Sequence, residues 1–497
     1  MRKGIFLVLG PLLFILLQFL DAPDGMSKNA YYMLGITLWM AIWWITEAIP
    51  IGVTALLPII LFPLTGAVDL STTTASYGHK YIFLYMGGFM LAIAIEKWNL
   101  HKRIALHVIK LIGTNVAKII LGFMVATAFL SMWISNTATA VMMLPIAMSI
   151  VAQLKDNPST KEDENLIFGK AIMLAIAYSA SIGGIATLIG TPPNLVFAGY
   201  VEEVYGIEIT FWQWAKFGLP IAIPMLFLAW IYLTRFAFKF KQTDFPGGKA
   251  EIERLVKQLG PMKKEEKTVL AIFALTAFCW ITRSFIIQPI LPAIDDTIIA
   301  MISGILLFVI PASDTKQRLI TWEDAVKLPW GIILLFGGGM ALAAGFEATG
   351  LASWFGNQMT LLQGLSLLVL ILVIISAVNF ITEVTSNLAT TAMLLPILAP
   401  IAISLEINPY ILMVATTVAA SCAFMLPVAT PPNAVVFGSG YLKISDMVKS
   451  GIWMNIFSIL FLTIMVYYLL PLIWDFDPKD LTEFLKLKSS DSLKHLN

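Results

Sequence analysis

Ser131-Met-Trp-Ile-Ser135-Asn136-Thr137 and Thr382-Glu-Val-Thr-Ser386-Asn387 are the two stretches that decide the fold of this chain of 497 residues. Each interrupts a long apolar segment with small polar residues, and the Ser-Asn pairs are 251 positions apart. The same spacing separates other pairs: Gly87-Gly88 and Gly338-Gly339, Glu96 and Glu347, Thr139 and Thr390, and Pro145 and Pro396. One apolar unit has therefore been duplicated.

A second motif is also present twice, at a different spacing. Thr191-Pro-Pro-Asn194 recurs as Thr430-Pro-Pro-Asn433, which is 239 positions later. Asn157-Pro158 and Asn408-Pro409 keep the spacing of 251, so the difference arises from a polar stretch that begins at Ser159 in the first copy. Surface loops tolerate such insertions. A duplicated apolar unit whose shared residues are small or polar is typical of a transporter.

The composition independently indicates a membrane protein. Hydrophobic residues make up 58% of the chain, charged residues make up 13%, and the mean hydropathy is +0.84. A soluble chain would carry about 25% charged residues. The net charge of +1 gives no reason to expect a nucleic-acid partner. Cys279 and Cys422 both lie in apolar runs, which argues against a disulfide framework and against a cysteine metal site.

Apolar runs of about 20 residues match the thickness of a bilayer. We predict an all-α polytopic membrane protein with about eleven transmembrane helices and two re-entrant helical hairpins. The predicted helices cover 5–21, 31–49, 51–68, 81–98, a segment from 168 that is broken at 190–193, 213–238, 267–289, 296–311, 330–348, a segment broken at 429–432, and 451–474. The hairpins cover 119–153 and 362–403, with a Ser-Asn motif at each tip.

These segments predict five regions along the chain. They are an N-terminal helix (1–30), a first repeat (31–240), a cytoplasmic linker (241–266), a second repeat (267–474) and a polar tail (475–497). The apolar run at 5–20 could be taken for a signal peptide, but Asp21-Ala-Pro-Asp24 is a poor cleavage site. The run is therefore assigned to the first spanning helix.

The placement of charge predicts the orientation. The basic stretches are Arg2-Lys3, Lys97–Lys110, Lys155 with Lys161, and Lys239–Lys267, whereas the loop 201–208 is acidic. Because basic loops stay in the cytoplasm, the N-terminus and the linker are expected there and the C-terminus outside. This holds only if segment 119–153 enters and leaves by the same face. The chain then crosses the membrane five times between the two tips. Because five is an odd number, the second hairpin opens to the opposite face. The repeats are therefore expected to be inverted, with the tips meeting near the midplane.

The interrupted helices predict where the chemistry lies. A broken helix leaves unpaired N–H groups at one half-helix start and unpaired C=O groups at the other end. The N–H ends suit a carboxylate or a sulfate, and the C=O ends suit a small cation. A lone serine in an apolar helix usually bonds only to the carbonyl one turn back. Two aligned Ser-Asn pairs beside two Pro-Pro breaks are a far more specific signal.

The duplicated glycines and most of the remaining polar residues are expected to have structural roles. Gly87-Gly88 and Gly338-Gly339 are expected to allow close packing, and Glu96 and Glu347 to cap or pair near helix ends. Glu383 is a candidate functional acid, although pairing is favoured over proton transfer. The histidines, which are expected to be solvated, are His79, His101, His107 and His495. Because no His, Lys or Asp lies near either tip in sequence, we do not expect an enzyme.

These residues carry a family resemblance. The two Ser-Asn stretches, Ile189-Gly190-Thr191-Pro-Pro-Asn194 and Phe424-Met-Leu-Pro-Val-Ala429-Thr430-Pro-Pro-Asn433 resemble the divalent anion/sodium symporter family, and its bacterial dicarboxylate transporters in particular. The resemblance extends from Thr46-Glu-Ala-Ile-Pro50 to the last helix. It implies a homodimer in which a scaffold domain holds the interface. It also implies a transport domain that carries the hairpins and broken helices and moves as an elevator.

The resemblance also implies binding residues. The first sodium site would use Ser131, Ser135, Asn136 and Gly190, and the second would use Thr382, Thr385, Asn387 and Ala429. The substrate carboxylates would lie among Ser135, Asn136, Thr137, Ser386, Asn387, Thr430 and Pro431. Leu388 departs from the pattern, because a threonine there would supply a further hydroxyl.

The expected function is secondary transport of di- or tricarboxylates of the succinate, malate, fumarate and 2-oxoglutarate class across the plasma membrane, coupled to Na⁺. Two negative charges cannot cross an apolar layer without compensation, and the motif segments contain no Arg or Lys. Bound cations are the simplest compensation. Sodium-independent exchange of dicarboxylates, or transport of sulfate or citrate, remain alternatives. No organic cofactor is expected.

Overall fold

The structure, a computed structural model, describes residues 2–113, 115–153, 164–240, 248–313, 317–358, 364–481 and 484. Most of the predicted polar insertion at 159–165, the first part of the linker and most of the tail with His495 lie outside the described residues. The all-α expectation is confirmed. The described residues form helices joined by turns, with one isolated β-bridge between Pro311 and Arg318.

Twelve α-helices lie in the described residues before position 241. They are α1 Arg2–Leu17, α2 Lys28–Thr46, α3 Ile51–Thr54, α4 Leu57–Thr65, α5 Leu70–Ala75, α6 Lys80–Lys97, α7 Leu100–Ile112, α8 Val116–Ser131, α9 Asn136–Val151, α10 Glu164–Ile185, α11 Pro192–Tyr205 and α12 Phe211–Ile231. A 3₁₀ turn at Ser76–Gly78 follows α5, and a π-helical turn at Tyr232–Ala237 extends α12.

Twelve more α-helices lie in the part of the chain that the structure describes after position 247. They are α13 Gly248–Gln258, α14 Lys264–Thr282, α15 Asp296–Val309, α16 Trp322–Ala325, α17 Trp330–Thr349, α18 Leu351–Gln358, α19 Leu367–Thr382, α20 Asn387–Ser404, α21 Pro409–Ala420, α22 Pro431–Phe437, α23 Ile444–Ile464 and α24 Leu470–Trp474. π-Helical turns at Arg283–Ile287 and Met465–Leu469 extend α14 and α23.

Seven helical spans of the described residues are long and apolar enough to cross a membrane. They are Leu70–Lys97, Glu164–Ile185, Phe211–Ala237, Lys264–Ile287, Trp330–Thr349, Asn387–Ser404 and Ile444–Trp474. Other predicted spans form shorter apolar helices: Gly4–Leu17, Ile51–Thr65, Asp296–Val309 and Pro409–Ala420. The chain therefore has the helix lengths of a multi-pass membrane protein.

The duplicated sequence produces duplicated helices. Helices α8 and α19 both begin and end 251 positions apart, at Val116 and Leu367 and at Ser131 and Thr382. The preceding caps match as well, because Asn115 accepts a hydrogen bond from the N–H of Lys118, and Ser366 accepts one from Val369. An N-cap oxygen satisfies one of the unpaired donors of the first turn, so the same local chemistry starts both helices.

The two repeats are interlocked. Helix α9 packs against α22, and helix α20 packs against α11. The hairpin arm that follows each Ser-Asn tip therefore lies on the second half of the broken helix of the other repeat. We call α8–α12 with α19–α23 the hairpin group, and α2–α6 with α14–α17 the flanking group.

The duplicated glycines allow close packing, as predicted. A Cβ atom built on Gly87 would lie 2.6 Å from the backbone of Ala300, and one built on Gly338 would lie 2.6 Å from the carbonyl oxygen of Ala55. Because a side chain at either position would collide with backbone, glycine lets α6 approach α15 and lets α17 approach α3.

The predicted acidic loop is joined to the flanking group by ion pairs. Lys80 Nζ lies 2.6 Å from Glu202 Oε1, and the buried Arg283 donates a hydrogen bond of 2.8 Å to Glu208. Arg283 Nε also lies 3.4 Å from a carboxylate oxygen of Asp296, which is itself buried. These contacts fix the turn between α11 and α12 against α6, α14 and α15.

The basic stretch from Lys97 to Lys110 is more ordered than a loop. It forms the amphipathic helix α7, with Leu106 and Ile109 buried and His107 exposed. The expectation that all four histidines are solvated is wrong for His101, which is only 3% exposed. The position of His101 in the helix places its ring on the apolar face of α7, although its neighbours in the sequence are charged.

Candidate functional site

The first hairpin tip is a four-residue break between α8 and α9. Ser131, the last residue of α8, places its Oγ 2.5 Å from Asn136 Oδ1 and 2.7 Å from the carbonyl oxygen of Ala180. Ser135 caps α9, because its Oγ accepts a hydrogen bond from the N–H of Ala138. The Ser-Asn motif therefore ends one helix, starts the next and gathers uncharged oxygens at the tip.

The second tip repeats this arrangement. Thr382 Oγ1 lies 2.6 Å from Asn387 Oδ1 and 2.9 Å from the carbonyl oxygen of Ala420. Thr382 and Asn387 are 251 positions after Ser131 and Asn136. In both repeats a hydroxyl therefore orients the asparagine amide. The same hydroxyl contacts a carbonyl oxygen of the helix that ends at the neighbouring break, α10 in the first repeat and α21 in the second.

The amide side chains after the Pro-Pro breaks are duplicated too. Asn194 Nδ2 donates to the carbonyl oxygens of Gly184 (3.1 Å) and Thr187 (2.7 Å). Asn433 Nδ2 donates to Ala423 (3.2 Å) and Leu426 (2.9 Å). Both asparagines are fully buried, so each bridges the carbonyls that a broken helix leaves unpaired. Neither asparagine was among the residues expected to bind sodium or substrate, although their repetition within the Thr-Pro-Pro-Asn motifs is the sequence signal for this role.

Three of the four residues expected at the first sodium site come together. A Cβ atom built on Gly184 would lie 2.7 Å from Asn136 Oδ1 and 3.2 Å from the carbonyl oxygen of Gly190. Ser131 contacts the same Asn136 oxygen. The space beside Gly184 is therefore bordered by the amide group of Asn136 and by a backbone oxygen, and oxygens of this kind coordinate Na⁺ at broken helices. The Ser135 hydroxyl is instead committed to the cap of α9.

The residues expected at the second sodium site are partly connected. Thr382 and Asn387 are in contact, as described above. The hydroxyl of Thr385 bonds to the carbonyl of Ile381 (2.9 Å) and lies 2.6 Å from Thr390 Oγ1. Ala429 is buried at the end of the break and donates its N–H to the carbonyl of Leu426. The Thr385 hydroxyl is thus engaged by two neighbours, and Ala429 can offer a cation only its backbone carbonyl.

The residues expected to hold the substrate lie at the starts of helices. Asn136 and Thr137 begin α9, and Ser386-Asn387 begins α20. Thr430 caps α22, because its Oγ1 accepts from the N–H of Asn433, whereas Pro431 is exposed. The positive ends of the long helices α9 and α20 suit a carboxylate. Leu388, the position that lacks a hydroxyl, is buried in the core.

Glu383 lies in the second tip and binds the neighbouring break. Its Oε1 accepts hydrogen bonds from the N–H groups of Phe424 (2.8 Å) and Met425 (3.0 Å), and its Oε2 accepts from Leu426 (3.0 Å). Asn455 donates a further bond to Oε1. This carboxylate is therefore satisfied by neutral donors, which agrees with the preference for pairing over proton transfer. The equivalent position 251 residues earlier is Met132, so the two tips differ here.

An aromatic cluster joins the first tip to the flanking group. The ring of Trp133 stacks on Phe211 at a centroid distance of 5.7 Å and on Trp280 at 6.4 Å. It also meets Phe273 edge-on at 5.0 Å. Phe273 and Trp280 belong to α14 of the flanking group, so any displacement of the first tip must separate or slide these rings.

A helical membrane chain in which two hairpins pack against two broken helices, with small polar residues and one acid, Glu383, at the tips, has the architecture of a secondary transporter. The chain belongs to the family described as the sodium:sulfate symporter transmembrane region, whose model matches residues 4–474. The expected membership of the divalent anion/sodium symporter family is therefore confirmed, and with it a transporter rather than an enzyme.

Several relatives are similar over nearly the full length. A sodium-dependent dicarboxylate transporter SdcS of Staphylococcus saprophyticus is 47% identical over 488 residues, which cover 97% of this chain and 93% of the relative. The protein of the same name from Staphylococcus aureus is 46% identical over 477 residues, covering 95% and 92%.

Two solved structures share the fold. The YdaH transporter of Alcanivorax borkumensis superposes with a TM-score of 0.60 at 14% identity, covering 91% of this chain and all of that chain. MtrF of Neisseria gonorrhoeae superposes with a TM-score of 0.57 at 11% identity, covering 91% and 96%. At these identities the likeness concerns the fold alone.

Proposed function

We propose that this protein is a sodium-coupled secondary transporter of small dicarboxylates of the succinate, malate and fumarate class. The observation that carries this proposal is the pair of mirrored tips, Ser131–Asn136 and Thr382–Asn387, each of which gathers uncharged oxygens beside the start of a helix. The names of the relatives from Staphylococcus support both the coupling ion and the substrate class.

The balance of charge explains the need for sodium. A dicarboxylate brings two negative charges into the hydrophobic layer, and the helix starts at Asn136 and Asn387 supply only partial positive charge. The tips and breaks contain no Lys or Arg, and the one acid among them, Glu383, adds a negative charge. Cations bound together with the substrate supply the missing positive charge, so binding of the two solutes is coupled.

Each sodium ion has a proposed set of ligands. The first set is Ser131, Asn136 and the backbone of Ser135 and Gly190, and its support is the oxygen-lined space beside Gly184. The second set is Thr382, Asn387 and the backbone of Thr385 and Ala429, supported by the repeated hydroxyl–amide contact. The substrate set is Ser135, Asn136, Thr137, Ser386, Asn387, Thr430 and Pro431.

The larger-scale organisation belongs to the same proposal. The N-terminus and linker face the cytoplasm and the C-terminus faces outside, because the basic segments then lie on the cytoplasmic side. The protein works as a homodimer in the plasma membrane, with the flanking group as scaffold and the hairpin group moving as an elevator. The support for this division is that both tips and both breaks lie within the hairpin group, which α9–α22 and α11–α20 packing ties together.

The test is uptake of radiolabelled succinate into proteoliposomes. An inward sodium gradient should drive accumulation, and replacing Na⁺ with K⁺ should abolish it. Uptake that requires succinate loaded inside the vesicles and is independent of the sodium gradient would instead establish dicarboxylate exchange. Competition by sulfate or citrate in place of malate and fumarate would reveal a different substrate class.

A further inference from the structure

A cavity of about 560 Å³ lies between α12 and α23, apart from the tips and breaks. One wall consists of the end of α12 with the π-helical turn that follows it, and the other wall is the first half of α23. The volume is in the range of small-ligand sites. The lining residues that matter here are Leu228, Tyr232, Phe236, Lys449, Trp453 and Phe457.

The π-helical turn shapes this cavity. Tyr232 and Phe236 both belong to the turn, and π-helical turns are frequent at functional sites. The Tyr232 hydroxyl donates a hydrogen bond of 3.0 Å to the carbonyl oxygen of Ser450. This bond holds α12 against α23, and the groove lies beside it.

Both walls of the cavity belong to membrane-spanning segments. The spans Phe211–Ala237 and Ile444–Trp474 are each long and apolar enough to cross a membrane, and less than half of each is packed inside the protein. Their exposed residues include large apolar side chains, namely Ile223, Phe227, Phe236, Trp453, Ile456, Phe457, Leu460 and Ile464. A spanning helix that keeps such residues on its outer surface faces the hydrocarbon of the bilayer.

The cavity begins near one surface of the membrane. Phe236 is next to the last residue of its span, and Lys449 is the sixth residue of the other span. Phe457 lies eight residues after Lys449 in α23, which corresponds to about 12 Å along the helix axis. Since the hydrocarbon core is about 30 Å thick, the groove extends through most of one leaflet.

The end of the cavity nearest to the membrane surface carries positive charge. Lys449 lines it, and Arg235 directly precedes the lining residue Phe236. Both basic side chains are exposed, and neither forms an ion pair with a described residue. Asp446, the acid nearest to Lys449 in the sequence, is already paired with Lys170 at 3.0 Å. The groove therefore combines an apolar floor with two uncompensated cations.

These charges favour a lipid over a second copy of the chain as the occupant. A twofold contact brings the same patch of both copies together, so the unpaired lysines of the two copies would face each other. Like charges that meet in an apolar interface are unfavourable. An anionic headgroup, in contrast, neutralises the cations, and its acyl chain covers the apolar floor.

We propose that this groove is a binding site for a phospholipid of net negative charge. The phosphate group binds Lys449, with Arg235 contributing to its attraction, and one acyl chain lies along Trp453 and Phe457. A zwitterionic lipid offers the same chain, but its own ammonium group offsets the charge that the two cations attract. The headgroup therefore determines the preference, and the groove determines the position.

Native mass spectrometry of the full-length protein with equimolar phosphatidylglycerol and phosphatidylcholine of identical chains tests the charge of the site. Wild type should retain phosphatidylglycerol in preference by about 25-fold, the product of about fivefold for each of two cations. Lys449→Gln and Arg235→Gln should each lower the preference by about fivefold. Lys267→Gln is the matched control, because Lys267 is an exposed lysine near the start of another span, Lys264–Ile287.

A second pair of variants tests the groove itself. Leu228→Trp places a larger side chain in the cavity and should lower the retention of both lipids. Leu275→Trp, at a position 59% exposed on α14, adds the same side chain outside the cavity and should retain both lipids as wild type does. Loss in Leu228→Trp alone supports a bound chain, whereas a diffuse attraction of lipids to basic residues would be unaffected.

Four outcomes would overturn the assignment: no headgroup preference in wild type, a preference unchanged in Lys449→Gln, an equal loss in Lys267→Gln, or retention unchanged in Leu228→Trp. Dissociation of a dimer in Trp453→Ala without a change in lipid retention would assign the groove to a second copy of the chain. If Leu228→Trp does not fold, Lys449→Gln decides, because it changes an exposed side chain only.

Discussion

Asn455 donates a hydrogen bond of 2.7 Å from Nδ2 to Oε1 of Glu383, inside the hairpin group. The bond is the side-chain part of an arrangement in which the Glu383 carboxylate also accepts from three consecutive backbone N–H groups, those of Phe424, Met425 and Leu426. A negative charge is therefore held in place by neutral donors, and it holds the second tip against the break between α21 and α22.

Glu383→Gln should destabilise the protein. Glutamine replaces one accepting oxygen with an NH₂ group that faces backbone N–H donors, so at least one charge-assisted bond is lost at a cost of about 2 kcal/mol. The apparent unfolding temperature should fall by several degrees and succinate uptake should fall with it. The control is Glu406→Gln, at an exposed position. An unchanged unfolding temperature in Glu383→Gln would show that these bonds contribute little.

Asn136→Ala and Asn387→Ala should each abolish sodium-driven uptake. Each change removes the amide oxygen that Ser131 or Thr382 orients, and with it a proposed ligand of sodium and substrate. Expression and elution in gel filtration should remain close to wild type. Asn29→Ala, which alters an exposed residue of α2, should transport normally. Near-normal uptake in either site variant would remove the basis for the proposed ligand sets.

Gly184→Ala should raise the sodium concentration needed for half-maximal uptake by at least about tenfold, a change of about 1.4 kcal/mol. The new methyl group would lie 2.7 Å from Asn136 Oδ1, within the space proposed for the first sodium ion. Gly4→Ala is the matched control, because a Cβ there meets no atom within 4 Å. A sodium dependence identical to wild type in Gly184→Ala would exclude that space as the ion site.

Arg283→Met should lower stability by about 3–5 kcal/mol, the usual cost of leaving a buried charge without its partner. Asp296 is buried and would lose its cation, and Glu208 would lose a hydrogen bond of 2.8 Å. Lys327→Met is the comparison, because Lys327 is exposed and its pair with Asp324 spans 3.6 Å. Thermal unfolding in detergent measures both. Equal losses of stability in the two variants would contradict the interpretation of Arg283 as a buried partner of Asp296.

Acidification should destabilise the protein through His101. Because burial lowers the pKa of this histidine to about 4 from an ordinary 6.5, the unfolded chain takes up the proton more readily. The stabilisation is complete above pH 6.5 and is lost as the pH falls toward 4, by about 2 kcal/mol between pH 8 and pH 5. His101→Phe should flatten the dependence of unfolding temperature on pH over that range, whereas His107→Phe should leave its slope unchanged.

Much of the fold follows from local sequence signals. The spacing of 251 positions located both hairpins, and the Pro-Pro pairs marked the first residues of α11 and α22, because proline ends one helix and is tolerated at the start of the next. Ser131 and Asn136 are also in contact, since only four residues lie between them across a single turn.

Local sequence signals could not predict hydrogen-bond partners that lie far apart along the chain. The backbone N–H groups that donate to Glu383 lie 41 to 43 residues further along the chain, and Asn455 lies 72 residues away, so only the folded structure identifies them. The burial of His101 was missed because charged neighbours hid the apolar face of α7. The sequence also did not indicate that the hydroxyl of Thr385, a residue expected at the second sodium site, lies 2.6 Å from Thr390 Oγ1.

The crossed packing of α9 on α22 and of α20 on α11 bears on the origin of the molecule. Each hairpin arm packs on its own repeat, α9 on α10 and α20 on α21, and also on a helix of the other repeat. A single ancestral half would have left uncovered the side of its hairpin arm that now meets the other repeat. A dimer of two such halves would have covered that side, and fusion of the two copies into one chain made the contact permanent.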